Sequence, residues 1–235
     1  SDWDKVVYRP ISNSAARVAA LLSGDADLIE DPPTDDLERL KKDSKLSVVT
    51  KPSNRVIYLA LDQNGPKTPG VQGAEKNPLL DRRVRQALSM ALDRKALVER
   101  IMGGVATPAA QLLPPPMFGT SDKLVQADRP NSEQAKKLLA EAGYPQGFSI
   151  VLGSPNGRYI NDTKVAQTVA AMWSRIGVKT TVDAVAPAVF FKNRDTYSYS
   201  AFLAGWGTST GEMSNALAAL LVTPNKDKGL GTTNR

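Results

Sequence analysis

Between residues 148 and 204 the sequence reads as strand, helix, strand, helix, strand, and no other stretch restricts the fold as far. Residues 148–152 and 178–182 are short runs rich in β-branched and aromatic residues, the composition of buried strands. Between them Val165, Val169, Met172 and Ile176 recur at helical spacing, with Asp162 read as the cap and Gly177 as the stop. Residues 187–194 give a second helix and residues 200–204 a third strand. Two strand–helix–strand units in succession require helices laid across a sheet whose strands run largely parallel or mixed. The expected class is therefore α/β.

The same reading extends upstream. Residues 6–8, 26–29, 46–49 and 56–61 are expected strands. Ser12 or Ser14 caps a helix with Ala15, Val18, Ala19 and Leu22 inward, ended by Gly24. Residues 35–42 form a short helix on Leu37 and Leu40. Residues 63–77 are polar and rich in Gly and Pro, hence a loop. Residues 78–104 are two helices in tandem. Val84, Ala87, Leu88 and Ala91 make the first apolar stripe; Asp93 restarts the helix over Leu97, Val98 and Ile101; Gly103 and Gly104 stop it. Residues 108–130, with three consecutive prolines, are a long irregular segment, either a functional surface or a wrapping connection. Ala135, Leu138, Leu139 and Ala142 define the next helix, and residues 213–222 the last. No repeat of 20–50 residues is present.

Bulk properties narrow the function. The chain has 235 residues, 41% apolar and 23% charged, an ordinary composition for a folded domain. No apolar run reaches the ~20 residues that span a bilayer, and the first residues lack the basic and apolar regions of a signal peptide. The absence of Cys excludes disulfides, thiolate metal sites and thiol nucleophiles. The absence of His removes Ser-His triads, imidazole metal sites and the commonest general base. Asp35–Asp36 and Asp25/Asp27 lack the alternation of a calcium loop and read as helix-cap acids. No enzyme, metal or cofactor chemistry is expected. The formal charge of +6 could suit a polyanion, but the basic residues are interspersed with acids and no aromatic-rich basic groove is visible.

Ligands of α/β sheets bind at the carboxyl ends of strands, and two such ends stand out. Residues 153–159 combine a flexible turn with Arg158, suited to a bidentate carboxylate contact, and Tyr159, which offers a stacking face and a hydroxyl. The alternative is a surface turn whose Arg pairs with a nearby acid. Residues 205–212 set Trp206 between glycines, followed by Thr208, Ser209, Thr210 and Glu212, a mixture of flat apolar surface and small hydroxyls from which pockets are built. Here the alternative is a Trp that plugs the core at a sheet end.

The tandem-helix segment, Leu80-Asp81-x-Arg83-Val84-Arg85-Gln86-Ala87-(x)5-Asp93-Arg94-x-Ala96-Leu97-Val98, resembles the peptide/nickel family (family 5) of extracytoplasmic solute-binding proteins that feed ABC importers. So do LSGDADL from Leu22, VIYLAL from Val56, LLPPPM from Leu112, QAKKLLAEAGY from Gln134, IGVK from Ile176 and LAGW from Leu203, in the same order. The resemblance covers essentially the whole chain. It implies a periplasmic-binding-protein-like (type II) lobe, a mixed, mostly parallel sheet flanked by helices. It further implies that residues 1–235 are the second of two lobes, the first lying outside this chain, and that a peptide or peptide-like solute is enclosed between them. The implied partners are that solute, the missing lobe and an ABC permease; the implied state is a monomer, periplasmic or otherwise extracytoplasmic, membrane-anchored in a Gram-positive source.

In peptide-binding relatives an acid three residues after the Trp receives the ligand's ammonium group. Here that position is Ser209, while the acid three residues further on matches Glu212. A neutral hydroxyl cannot neutralise a desolvated ammonium. Arg158 and Tyr159 lie in the loop from which dipeptide-binding relatives supply an Arg to the ligand's carboxylate. The expected ligand-binding residues are Arg158, Tyr159, Trp206, Thr208, Ser209 and Glu212, and the expected ligand bears a carboxylate: a modified peptide, a glutathione-like compound, an opine or a chelate, with an oligosaccharide as a further alternative. A hydrolytic enzyme and a basic nucleic-acid-binding domain are the competing classes. Turnover surviving purification would favour the first, and retention on heparin beyond what +6 explains the second.

Overall fold

A computed structural model describes residues 3–124 and 129–234. The part of the irregular segment at residues 125–128 lies outside the described residues. The chain divides into two compact units, Ser1–Val49 and Thr50–Arg235.

The first unit holds α1 (Ser14–Ser23) and α2 (Leu37–Lys42). The cap of α1 is Asn13, between the two expected serines: its side-chain oxygen accepts from the Ala16 amide at 2.9 Å. Gly24 ends the helix at φ 80°, as its place in the sequence predicts. The Arg17 guanidinium donates to the carbonyls of Ile11, Ser12, Glu30 and Asp31, fastening the chain on both sides of α1. Leu37 and Leu40 are buried as expected. The three strands expected at residues 6–8, 26–29 and 46–49 are absent. Val6, Val7, Tyr8, Leu28 and Val49 are all exposed. A β-prone run becomes a strand only when a neighbouring edge takes its N–H and C=O groups, and none of these runs is paired among the described residues.

The second unit is built on a four-stranded sheet, in chain order β1 (Arg55–Leu61), β2 (Phe148–Pro155), β3 (Val178–Val185) and β4 (Ala201–Gly207). Its spatial order is β1-β4-β2-β3. β2 runs parallel to β3 and to β4, and β1 closes the edge antiparallel to β4, so the sheet is mixed and mostly parallel. The helices are α3 (Arg82–Met90), α4 (Arg94–Ala96, continued by a π turn Leu97–Ile101), α5 (Ser132–Glu141), α6 (Asp162–Arg175), α7 (Pro187–Asp195) and α8 (Met213–Leu220).

The tandem-helix stripe is buried as its spacing predicts, at Val84, Ala87, Leu88 and Ala91. Asp81 caps α3 through the Arg83 amide at 2.8 Å, and Asp93 caps α4 through the Ala96 amide at 2.9 Å. The Arg83 guanidinium beside Asp81 holds its carboxyl below the usual aspartate value. α3, α5 and α6 share one core with the sheet, in which Trp173 donates its indole N–H to the Leu88 carbonyl at 3.0 Å. On the central strand β4 the side chains alternate: Ala201 and Leu203 enter that core, while Phe202 and Ala204 join Phe190 and Tyr199 in a second cluster. Both faces are buried, as a central strand requires. A third cluster of Leu113, Ala216 and Leu220 sits beside Trp206. The expected loop at 63–77 is fastened by Asn77, which donates to the carbonyls of Asp62 and Gly65 and accepts from the Leu79 amide. No described helix is long and apolar enough to cross a membrane.

Candidate functional site

The two expected ligand loops begin later than the sequence suggests. β2 continues through Gly153, Ser154 and Pro155, paired with Asp183, Ala184 and Val185, so the first loop opens only at Asn156. β4 continues through Gly205, Trp206 and Gly207, paired with Ile57, Val56 and Arg55. Glycine ordinarily punctuates strands; here Gly153 and Gly205 are each required by a ring that lies on them. A Cβ on Gly153 would fall 2.5 Å from the Tyr199 ring, and one on Gly205 would fall 2.8 Å from Cε1 of Tyr159 and 2.9 Å from Cδ1 of Ile57.

Asp162 is not the helix cap. It is the first helical residue, preceded by Asn161 at φ 55°, which makes no side-chain cap. The Asp162 carboxylate is 4% exposed and turns back onto the loop. One oxygen accepts from the amides of Gly157 (3.1 Å) and Thr163 (2.8 Å), the other from those of Arg158 (2.8 Å) and Tyr159 (3.0 Å). A buried carboxylate is tolerated when its lone pairs are filled by N–H donors, and this one fixes the backbone of the two residues the sequence singles out. Arg158 is exposed, its guanidinium carbon 5.4 Å from the Tyr159 ring centroid. Arg55, on β1, approaches the same ring at 5.9 Å.

The second loop is held mostly by neutral groups. Thr208 is buried, not displayed: its hydroxyl donates to the Glu212 carbonyl at 3.2 Å, accepts from the Thr210 amide at 3.3 Å and lies 3.1 Å from the Thr210 hydroxyl. Its carbonyl takes the Asn54 side-chain amide at 2.8 Å. The Glu212 carboxylate accepts from the hydroxyls of Thr210 and Ser214. Ser209 is exposed. Trp206 is half-buried; its indole N–H donates to Asn215 at 3.1 Å while its ring packs against the third cluster of Leu113, Ala216 and Leu220. The Trp thus does part of the plugging that the alternative reading expects and keeps part of its surface open.

The structure brings Tyr159 against Gly205, the residue before Trp206, with Arg158 over the same ring, so the first loop meets the end of β4 through one ring. Thr208 and Glu212 belong to the wall behind the second loop. Sequence reasoning missed Arg55 and Asp162 as parts of this region. A Gly on each side of Trp206 was the available signal, since it marks a strand over which a side chain from elsewhere must lie. A depression of about 360 Å³ lined by Gly70, Gln72, Ser149 and Lys179, among others, shares no residue with either loop. Among the described residues no group of three or more acids could hold a metal ion.

The middle region of the family described as bacterial extracellular solute-binding proteins, family 5, matches residues 2–228. The chain is 33% identical over 229 residues to the heme-binding protein A of Haemophilus influenzae, covering 94% of this chain and 39% of that protein. It is 31% identical over 230 residues to the glutathione-binding protein GsiB of Salmonella typhimurium, covering 94% and 42%. Its fold matches that of the periplasmic binding protein DppA of Helicobacter pylori in complex with the peptide STSA, with a TM-score of 0.75 at 22% identity, over 89% of this chain and 38% of that one. The chain spans about two fifths of the length of the relatives it matches.

Proposed function

The chain belongs to the bacterial extracellular solute-binding proteins of family 5, and on that premise we propose that it supplies one wall of a receptor that captures a carboxylate-bearing solute outside the cytoplasm and delivers it to the permease of an ABC importer. The observation that carries this reading is the Asp162 clamp. It fixes the backbone of Arg158 at the carboxyl end of a central strand, with the guanidinium exposed and Tyr159 beside it. That is where α/β sheets bind ligands, and an Arg fork is the group that reads a carboxylate. Trp206 supplies the flat apolar surface next to it. Ser209 is exposed on the far loop, and Glu212 stands in the wall behind it. The facing wall comes from a second lobe, and closure of the two lobes on the solute is the transport-competent state of a monomeric receptor.

The solute is a peptide or peptide-like compound. A non-peptide carboxylate, such as an opine or chelate, is the second reading, and Ser209 favours it. Where the resemblance puts an acid for an ammonium group, this chain offers an exposed hydroxyl. Mass spectrometry of solute carried through purification by the intact protein tests both. A carboxylate-bearing compound is expected, and Arg158→Ala should weaken its binding at least about tenfold by removing a charge-assisted contact. Unchanged affinity in Arg158→Ala would overturn the assignment. Trp206 fluorescence should shift on binding; a solute that leaves it unchanged counts against Trp206 as a pocket residue.

A further inference from the structure

Two guanidinium groups converge on one ring. The Arg158 carbon lies 5.4 Å and the Arg55 carbon 5.9 Å from the centroid of Tyr159, so they are no farther apart than those distances laid end to end. They arrive from different elements: Arg158 follows β2, and Arg55 opens β1 opposite Gly207. Both are exposed, and among the described residues neither enters an ion pair or donates a side-chain hydrogen bond.

A ring face returns only about 0.5–1 kcal/mol per exposed cation, so each guanidinium remains available to an anion. Among the described residues no acid is paired with either guanidinium, and the carboxylates of the two loops are engaged elsewhere. Asp162 is filled by four backbone amides, and Glu212 accepts from two hydroxyls. One carboxylate matches one fork and neutralises one charge. Two unpaired forks beside one ring therefore suit two carboxylates on one molecule.

We infer that Arg55 is a second solute-binding residue of this site and that the solute carries two carboxylates, one for each guanidinium. This rests on the solute-binding reading above and adds a second anionic group to the ligand. Arg55 then sets specificity: Arg158 alone would admit any carboxylate, and the pair favours a diacid.

Calorimetric titration of the intact protein with glutathione, which has two carboxylates, and with its glycyl monoethyl ester, which has one, tests this. The wild-type protein should bind the diacid at least about tenfold more tightly, the scale of one charge-assisted contact. Arg55→Gln should erase that preference while leaving the circular dichroism spectrum and melting curve unchanged, and Arg55→Lys, which keeps the charge without the fork, should restore part of it. Equal wild-type affinities, or a preference undiminished in Arg55→Gln, would overturn the role of Arg55 and leave the Arg158 reading standing.

Discussion

The loops after β2 and after β4 occupy equivalent places in the sheet and are held by opposite means. The first is pinned by one buried carboxylate that takes the amides of Gly157, Arg158, Tyr159 and Thr163. The second is held mainly by neutral bonds, Thr208 to the Glu212 carbonyl, Trp206 to Asn215 and Asn54 to the Thr208 carbonyl, and its one carboxylate, Glu212, takes hydroxyls and no backbone amide among the described residues. Charge-assisted bonds are about twice as strong as neutral ones. The difference teaches a division of labour. The backbone of Arg158, the residue proposed to read the charge of the solute, is pinned by charge, while the second loop is tied largely by bonds that could be exchanged if a solute arrives.

The largest effect should come from removing the pin. Asp162→Ala leaves four amides without an acceptor in a closed environment and should destabilise the protein by about 2–4 kcal/mol, read from urea denaturation. Asp162→Asn keeps one oxygen, so one pair of amides stays bonded while the other faces an NH2 group; its cost should fall between wild type and Ala. Equal stability of Asp162→Ala and wild type would remove the distinction between the loops. Next in size is Gly205→Ala. Its Cβ would enter the space of Tyr159 and Ile57, and forcing the ring off β4 should cost about 1–3 kcal/mol. The same variant should weaken solute binding, because the ring that joins the first loop to the end of β4 would be displaced. Wild-type stability and affinity in Gly205→Ala would mean that the loops do not depend on that contact.

How much of this could be read from residues alone depends on where the information sits. The helices were legible because their apolar spacing is local: Val84, Ala87, Leu88 and Ala91 are buried as a stripe must be. The strands that pair, at residues 56–61, 148–152, 178–182 and 200–204, were found, and their extensions through Gly153 and Gly205 were not, since a Gly reads as punctuation until the ring lying on it is known. The strands expected at 6–8, 26–29 and 46–49 failed because local propensity says nothing about whether a partner edge exists. At the candidate site, Arg158, Tyr159 and Trp206 were legible as residue types at strand ends. Asp162 was misread because an acid before an apolar helix looks like a cap; only the backbone of Asn161, at φ 55°, shows that the carboxylate faces the loop instead. Arg55 was invisible, because more than a hundred residues separate it from the ring it approaches.

Within the second loop the effects should be smaller. Thr208→Val keeps the shape and removes the hydroxyl, leaving the Thr210 amide without that acceptor and the Glu212 carbonyl without that donor; a cost of about 1 kcal/mol is expected in denaturant unfolding. A cost as large as that of Asp162→Ala would mean that neutral ties hold this loop as firmly as charge holds the other.

Smallest in stability, and sharpest for function, is Ser209→Asp. Ser209 is exposed, so the change should alter stability by no more than about 0.5 kcal/mol. It would place a carboxylate where the proposed site has the exposed Ser209 hydroxyl. An ammonium group loses hydration on entering a closed site and is accommodated only if a charge replaces that hydration. The variant should therefore gain measurable affinity for an unmodified dipeptide with a free amino terminus, such as alanyl-alanine, in a calorimetric titration where the wild-type protein shows less. If wild type already binds that dipeptide as tightly as Ser209→Asp does, the charge of the solute's amino end is read elsewhere, and the second loop contributes shape without charge selection.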